Sequence, residues 1–101
     1  MLLDERAKAI RVLDGNGASL RAIGPQGAGY VLRHPADIAV DAARNVYVAD
    51  AEEGVLVLSP EGQLLTRVGV GVLKRPSALA LTADGTLYVY DEKLKRVTRF
   101  R

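Results

Sequence analysis

PADIAVDAARNVYVAD, Pro35 to Asp50, is followed 41 positions later by PSALALTADGTLYVYD, Pro76 to Asp91. Two apolar triplets recur in register. Ile38-Ala39-Val40 matches Leu79-Ala80-Leu81, and Val46-Tyr47-Val48 matches Leu87-Tyr88-Val89. Between the triplets lie Ala42-Ala43-Arg44-Asn45 in one copy and Thr82-Ala83-Asp84-Gly85 in the other. Asn and Asp-Gly tolerate the positive φ that a tight turn needs, so each copy predicts a hairpin, strands A and B of a repeating unit.

Working outward, Val55 to Leu58 and Leu64 to Gly69 form a second pair of runs around Ser59-Pro60-Glu61-Gly62, predicting strands C and D. Upstream, Ile10 to Leu13 and Ser19 to Gly24 repeat that pair at an offset of 45, and downstream Val97 to Phe100 repeats strand C at an offset of 42. Leu3, Ala7, Ile10 and Leu13 behind Asp4 also suit a short amphipathic helix. The repeat decides against it: Leu2-Leu3-Asp4 holds the phase of Ala49-Asp50 and Tyr90-Asp91, so a strand end and a loop from Glu5 to Ala9 are expected.

About nine short strands in the order C, D, then A to D, then A to C predict an all-β, antiparallel chain with a four-stranded repeat of roughly 40 residues. That is the pattern of a β-propeller. Residues 1–34 are expected to end one blade, 35–75 to form a complete blade and 76–101 to supply strands A, B and C of the next. Neighbours cover a propeller blade on both faces, which accounts for strands as uniformly apolar as VYVAD and VLVLS. A little over two blades make an incomplete ring with open faces. The remaining blades of the same propeller, other copies of the chain (three copies giving two blades each) or a ligand protein would then be the partners.

Pro35-Ala36-Asp37-Ile38-Ala39-Val40-Asp41 and Asn45-Val46-Tyr47-Val48-Ala49-Asp50 closely resemble NHL repeats, and Pro76, Leu79, Ala80, Leu81, Leu87, Tyr88, Val89 and Asp91 follow the pattern more loosely. The resemblance covers almost the whole chain and implies a segment of a propeller that is usually six-bladed in this family. Asp37 and Arg44 stand where the family commonly has Gly, and Tyr90 departs from its Val-Ala-Asp ending.

Composition narrows the function. At 49% hydrophobic and 26% charged, the 101 residues have the balance of a soluble globular domain. No apolar run of 18 residues spans a bilayer, and Asp4 and Glu5 interrupt any export signal at the start. The compartment stays unassigned. With no cysteine, thiolate chemistry and disulfides are excluded. A net charge of +2 is too small to argue for nucleic acid. Lys93, Lys95, Arg96, Arg99 and Arg101 nevertheless form an acid-free basic end, readable as a phosphate-contacting patch or as a charged, soluble edge strand.

No catalytic constellation, metal site or cofactor motif emerges. His34 is the only histidine. Asp4, Asp50 and Asp91 recur at the end of strand B. They suit either a calcium-lined channel, as in a metal-dependent hydrolase or lyase, or repeated backbone hydrogen bonding, which the repetition favours. Ser59 and Ser77 read as turn residues. Candidate contact residues are those where the copies disagree or where the loops lengthen: Asp37 against Ala78, Arg44 against Gly85, His34, and Tyr30 in the long Gly-rich loop from Pro25 to Arg33. The favoured function is a non-catalytic binding or scaffolding module, with the propeller enzyme and nucleic-acid binding as alternatives.

Overall fold

A computed structural model describes residues 2–27 and 29–100. All of its regular structure is β, in antiparallel sheets. The first sheet joins β1 (Leu2–Asp4), β2 (Ala9–Leu13) and β3 (Ser19–Ile23). A two-stranded hairpin follows, β4 (Gln26–Gly27) with β5 (Tyr30–Val31). The second sheet has four strands in chain order, β6 (Pro35–Val40), β7 (Val46–Asp50), β8 (Gly54–Leu58) and β9 (Leu64–Val68). The third joins β10 (Pro76–Leu81), β11 (Leu87–Asp91) and β12 (Arg96–Phe100).

These twelve strands exceed the nine expected. Leu2–Asp4 completes a three-stranded sheet, and the glycine-rich segment after Pro25 forms a hairpin where an open loop was expected. Residues 3–13 form no helix: β1 pairs with β2 as Leu2↔Arg11, Leu3↔Ile10 and Asp4↔Ala9. Ser77 lies within β10 rather than in a turn.

The turns explain themselves locally. Asp41 Oδ1 accepts the amides of Ala43 and Asn45 (both 2.9 Å), Asp14 Oδ1 those of Asn16 (2.8 Å) and Ala18 (3.0 Å), and Ser59 Oγ that of Gln63 (3.0 Å). Short polar side chains thus complete each reversal that backbone bonds begin. Arg44 takes φ 70° where its counterpart Gly85 takes 87°, so the same turn is built with a strained residue in one copy and a free one in the other.

The sheets stack face to face through two apolar cores. Leu3, Ile10, Val12 and Ile23 of the first sheet, with Tyr30 and Leu32, pack on Ile38, Val46, Val48, Leu56 and Leu58 of the second. The opposite face of the second sheet, carrying Tyr47, Val55 and Val68, packs on Leu79, Leu81, Leu87, Val89 and Phe100 of the third, with Leu73 between them. The second sheet is therefore covered on both sides, and its two central strands are buried at almost every residue. The terminal sheets are each covered on one face, and in β11 burial alternates strictly, Leu87, Val89 and Asp91 in and Tyr88 and Tyr90 out.

Candidate functional site

The recurrent aspartates close the B-to-C turns. Asp50 is fully buried; its Oδ2 accepts the amides of Arg33 (2.8 Å) and His34 (3.0 Å), and its Oδ1 those of Glu52 (2.9 Å) and Glu53 (3.0 Å). Asp91, also fully buried, repeats this with Lys74 (2.5 Å) and Arg75 (3.0 Å) on Oδ2 and Lys93 and Leu94 (both 3.0 Å) on Oδ1. Each carboxylate pins the loop entering its sheet to the turn two strands later. Burial acts to raise the Asp91 carboxyl, but the four amide donors outweigh it and hold the group below the usual carboxylate range. Asp4 is a reduced version: it accepts the amide of Ala7 (3.0 Å) and the guanidinium of Arg11 (3.2 Å), and these hold its carboxyl low.

Asp37 sits at the bulge in β6, and both of its oxygens are engaged. Oδ1 accepts the amide of Ile38 (2.9 Å), and Oδ2 reaches across to the amide of Leu79 on β10 (2.8 Å). It staples the innermost strands of two sheets, a bond that Ala78 at the same position of β10 has no side-chain oxygen to make. Tyr30, expected on an open loop, is buried; its hydroxyl donates to Gly62 O at 2.6 Å and clamps the β4–β5 hairpin onto the β8–β9 turn. Burial pushes its phenol up. Ala28, in the same loop, lies outside the described residues, as does Arg101 of the basic end.

His34 and Arg44 are exposed. His34 Nε2 lies 3.0 Å from Glu52 Oε2, beside the Arg33–Glu53 (2.9 Å) and Arg75–Glu92 (2.6 Å) pairs, and the backbone carbonyls of His34 and Arg75 occupy equivalent places, accepting the amides of Ala51 and Glu92. Such exposed pairs contribute little to stability. The structure does not bring His34, Asp37, Arg44 and Tyr30 together into one site. Among the described residues no group of three or more His, Asp or Glu side chains is placed to hold a metal ion. Lys93, Lys95, Arg96 and Arg99 all lie exposed on or beside β12, and none of the four makes an ion pair among the described residues.

The open faces expected of an incomplete ring are present, and the uncovered face of the third sheet shows which residues they carry. Ala78 and Ala80 on β10, Tyr88 (36% exposed) and Tyr90 (39%) on β11, and Val97 (60%) and Arg99 on β12 share this face, with Tyr90 opposite Val97 and Tyr88 opposite Arg99. The same positions in the second sheet, Ala39, Tyr47, Ala49, Val55 and Val57, lie on the face that the third sheet covers. At the other end, the outward face of the first sheet carries Leu2 (53% exposed), Leu13 and Ala22 around the Arg11–Asp4 ion pair (3.2 Å). Among the described residues the first and third sheets each stack on one neighbour and the second on two, and that position in the array marks these faces.

No protein-family model matches the chain, and no curated protein matches it either.

Proposed function

We propose that the chain is a segment of an NHL-type β-propeller that works as a protein-binding scaffold, without chemistry of its own. The observation that carries this reading is the pairing of committed carboxylates with uncommitted apolar faces. Asp50 and Asp91, the acids that would line a metal-dependent channel, are sealed from solvent and spend their lone pairs on four backbone amides each. By contrast Tyr88, Tyr90 and Val97 present aromatic and branched surface to water, the residue types that anchor protein interfaces. The four-stranded repeat, the apolar stacking of successive sheets and the resemblance of Pro35 to Asp50 to the NHL pattern support the propeller part of the reading.

The test uses the purified chain. It is expected to associate or to bind a hydrophobic dye at tens of micromolar, and the pair Tyr90→Asp and Val97→Asp is expected to abolish both while leaving the far-ultraviolet circular dichroism unchanged. A monomeric, dye-silent wild-type chain would overturn the scaffold reading. The enzyme alternative has its own discriminator: calcium or zinc binding to the native state would raise the melting temperature through linkage, and the expected result is no shift.

A further inference from the structure

We infer that the Asn16-Gly17 turn between β2 and β3 is a site of spontaneous covalent modification, at which the Asn16 side chain loses ammonia and the backbone passes through a succinimide to isoaspartate and aspartate. The inference stands on one turn and is independent of the propeller reading. The chain has two asparagines, and they are placed in opposite ways. Asn45 is half-buried, its Nδ2 donates to Asp41 Oδ2 (3.1 Å), and the residue after it is the fully buried, β-branched Val46. Asn16 is exposed, its carboxamide makes no hydrogen bond among the described residues, and the residue after it is Gly17. Gly17 takes φ 85°, and nothing beyond its chain neighbours lies within 4 Å of the place a Cβ would occupy, so its amide nitrogen is open to approach. The exposure belongs to the turn and not to the edge of the stack: Glu61, the counterpart of Asn16 in the second sheet, is exposed although that sheet is covered on both faces.

The chemistry balances with water alone. The Gly17 nitrogen gives up its proton and bonds to Asn16 Cγ, the bond from Cγ to the side-chain nitrogen breaks, and that nitrogen leaves as ammonia with the proton. Water then opens the ring. Cleavage between the ring nitrogen and Cγ leaves aspartate, and cleavage between the ring nitrogen and the Asn16 main-chain carbonyl carbon leaves isoaspartate, with an extra methylene in the backbone.

In the closed turn the Gly17 amide donates to Asp14 O (3.1 Å), and Asp14 Oδ1 holds the amides of Asn16 (2.8 Å) and Ala18 (3.0 Å), so reaction waits on local opening. This hairpin end is weakly held: the ladder is irregular at Val12/Leu13, and every β3 residue but Ile23 is exposed. The Asp-Gly steps, which can cyclise by the same route, are tied down. Asp14 is committed as above, and Asp84 accepts from the Thr82 hydroxyl and the Thr86 amide (3.1 Å), bonds that hold its carboxyl below the usual range and keep it ionised, a poor electrophile.

The product acts on the fold. The bonds from Asp14 N to Ala18 O and from Ala18 N to Asp14 Oδ1 (both 3.0 Å) span residue 16, and an added methylene between them spoils both, loosening β3, whose Ile23 is buried in the first core. Aspartate leaves the backbone as it was and takes one unit from the net charge of +2.

The purified chain is incubated at mildly alkaline pH, and its peptides are mapped by mass spectrometry with and without a protease that cuts before aspartate but not before isoaspartate. The Asn16 peptide is expected to gain the mass of an amide-to-acid exchange, in part as a protease-resistant form, while Asn45 stays intact. Asp14→Ala is expected to speed the loss about fivefold, the factor that one net hydrogen bond amounts to. The aged chain is expected to unfold at lower urea than fresh chain, and Asn16→Asp, which carries the charge without the extra methylene, at the same urea as fresh chain. Loss at Asn16 no faster than at Asn45 would overturn the modification site, and an aged chain with the urea midpoint of fresh chain would overturn its effect on the hairpin. Neither result touches the scaffold reading, whose own test is association and dye binding.

Discussion

Replacing Asp50 with Ala removes one buried carboxylate and strands four amide donors at once, those of Arg33, His34, Glu52 and Glu53. Hydrogen bonds to a charged acceptor are worth about 1.5–3 kcal/mol each. A simple sum would reach about 6–12 kcal/mol, but Arg33, His34 and Glu52 are exposed residues whose amides water can reach once the loop relaxes. The expected net loss is therefore about 3–5 kcal/mol, a large part of the roughly 5–15 kcal/mol that holds a domain of this size. Asp50→Asn keeps one accepting oxygen and turns an NH₂ toward two N–H donors, so an intermediate loss of about 2–4 kcal/mol is expected. Asp91→Ala should cost a similar amount, because it accepts the same four bonds. Asp4→Ala, with one amide and one guanidinium, should cost the least of the three. Urea denaturation followed by circular dichroism reads all four variants. Two results would refute the reasoning: an Asp50→Ala protein within about 0.5 kcal/mol of wild type, the range of an ordinary surface change, or an Asp4→Ala protein as damaged as the other two.

Acid should destabilise the fold in a defined direction. The Asp91 carboxyl is lowered below the 3.8 of an unperturbed aspartate, so the stability it contributes is complete above that value and is lost as pH falls through the lowered one. In Asp91→Asn the slope of stability against pH below about 4 should flatten in acid titrations monitored by urea midpoint. Tyr30→Phe should lose about 0.5–1.5 kcal/mol with its bond to Gly62, and Tyr30→Ala about 3–5 kcal/mol with the hairpin's anchor; equal losses would show that the ring contributes nothing beyond the hydroxyl. Gly69→Ala should cost about 1–3 kcal/mol, since φ is 73° and a Cβ there would lie 2.7 Å from Leu73 Cδ1 and 2.9 Å from Phe100 Cζ. Gly85→Ala, at φ 87° with nothing within 4 Å, should cost only the backbone share, and thermal melts of the two variants measure the difference.

Much of the fold was legible because its signals are local. Asp-Gly, Asn45 and Ser59-Pro60 announce turns, and the duplicated triplets announce the strands between them, so the all-β antiparallel class follows from the chain read in order. The same repetition rightly assigned Asp50 and Asp91 to backbone hydrogen bonding, although it could not say which amides they hold. The contact candidates fared differently. The second oxygen of Asp37 meets an amide 42 residues away, a contact that no local pattern announces. Tyr30 looked like an exposed aromatic on a flexible loop because glycines flank it. Those glycines instead let the hairpin fold tightly over the ring, where a Cβ at Gly27 would lie 2.2 Å from Tyr30 Cε1.

VYVAD and LYVYD show where the boundary lies. Both are dense in β-branched and aromatic residues, both follow a turn and end in an aspartate, and nothing within either run distinguishes a strand covered on two faces from one covered on one. Strand formation, pairing order and the capping role of the terminal Asp are set within some 15 residues, by turn geometry and side-chain type. Burial is not. β7 is covered on both faces because sheets lie on either side, while β11 turns Tyr88 and Tyr90 to solvent because only one sheet is stacked against it. The free energy of a covered face depends on area removed from water by a neighbour, and that neighbour's presence is a property of the assembled stack, not of the strand.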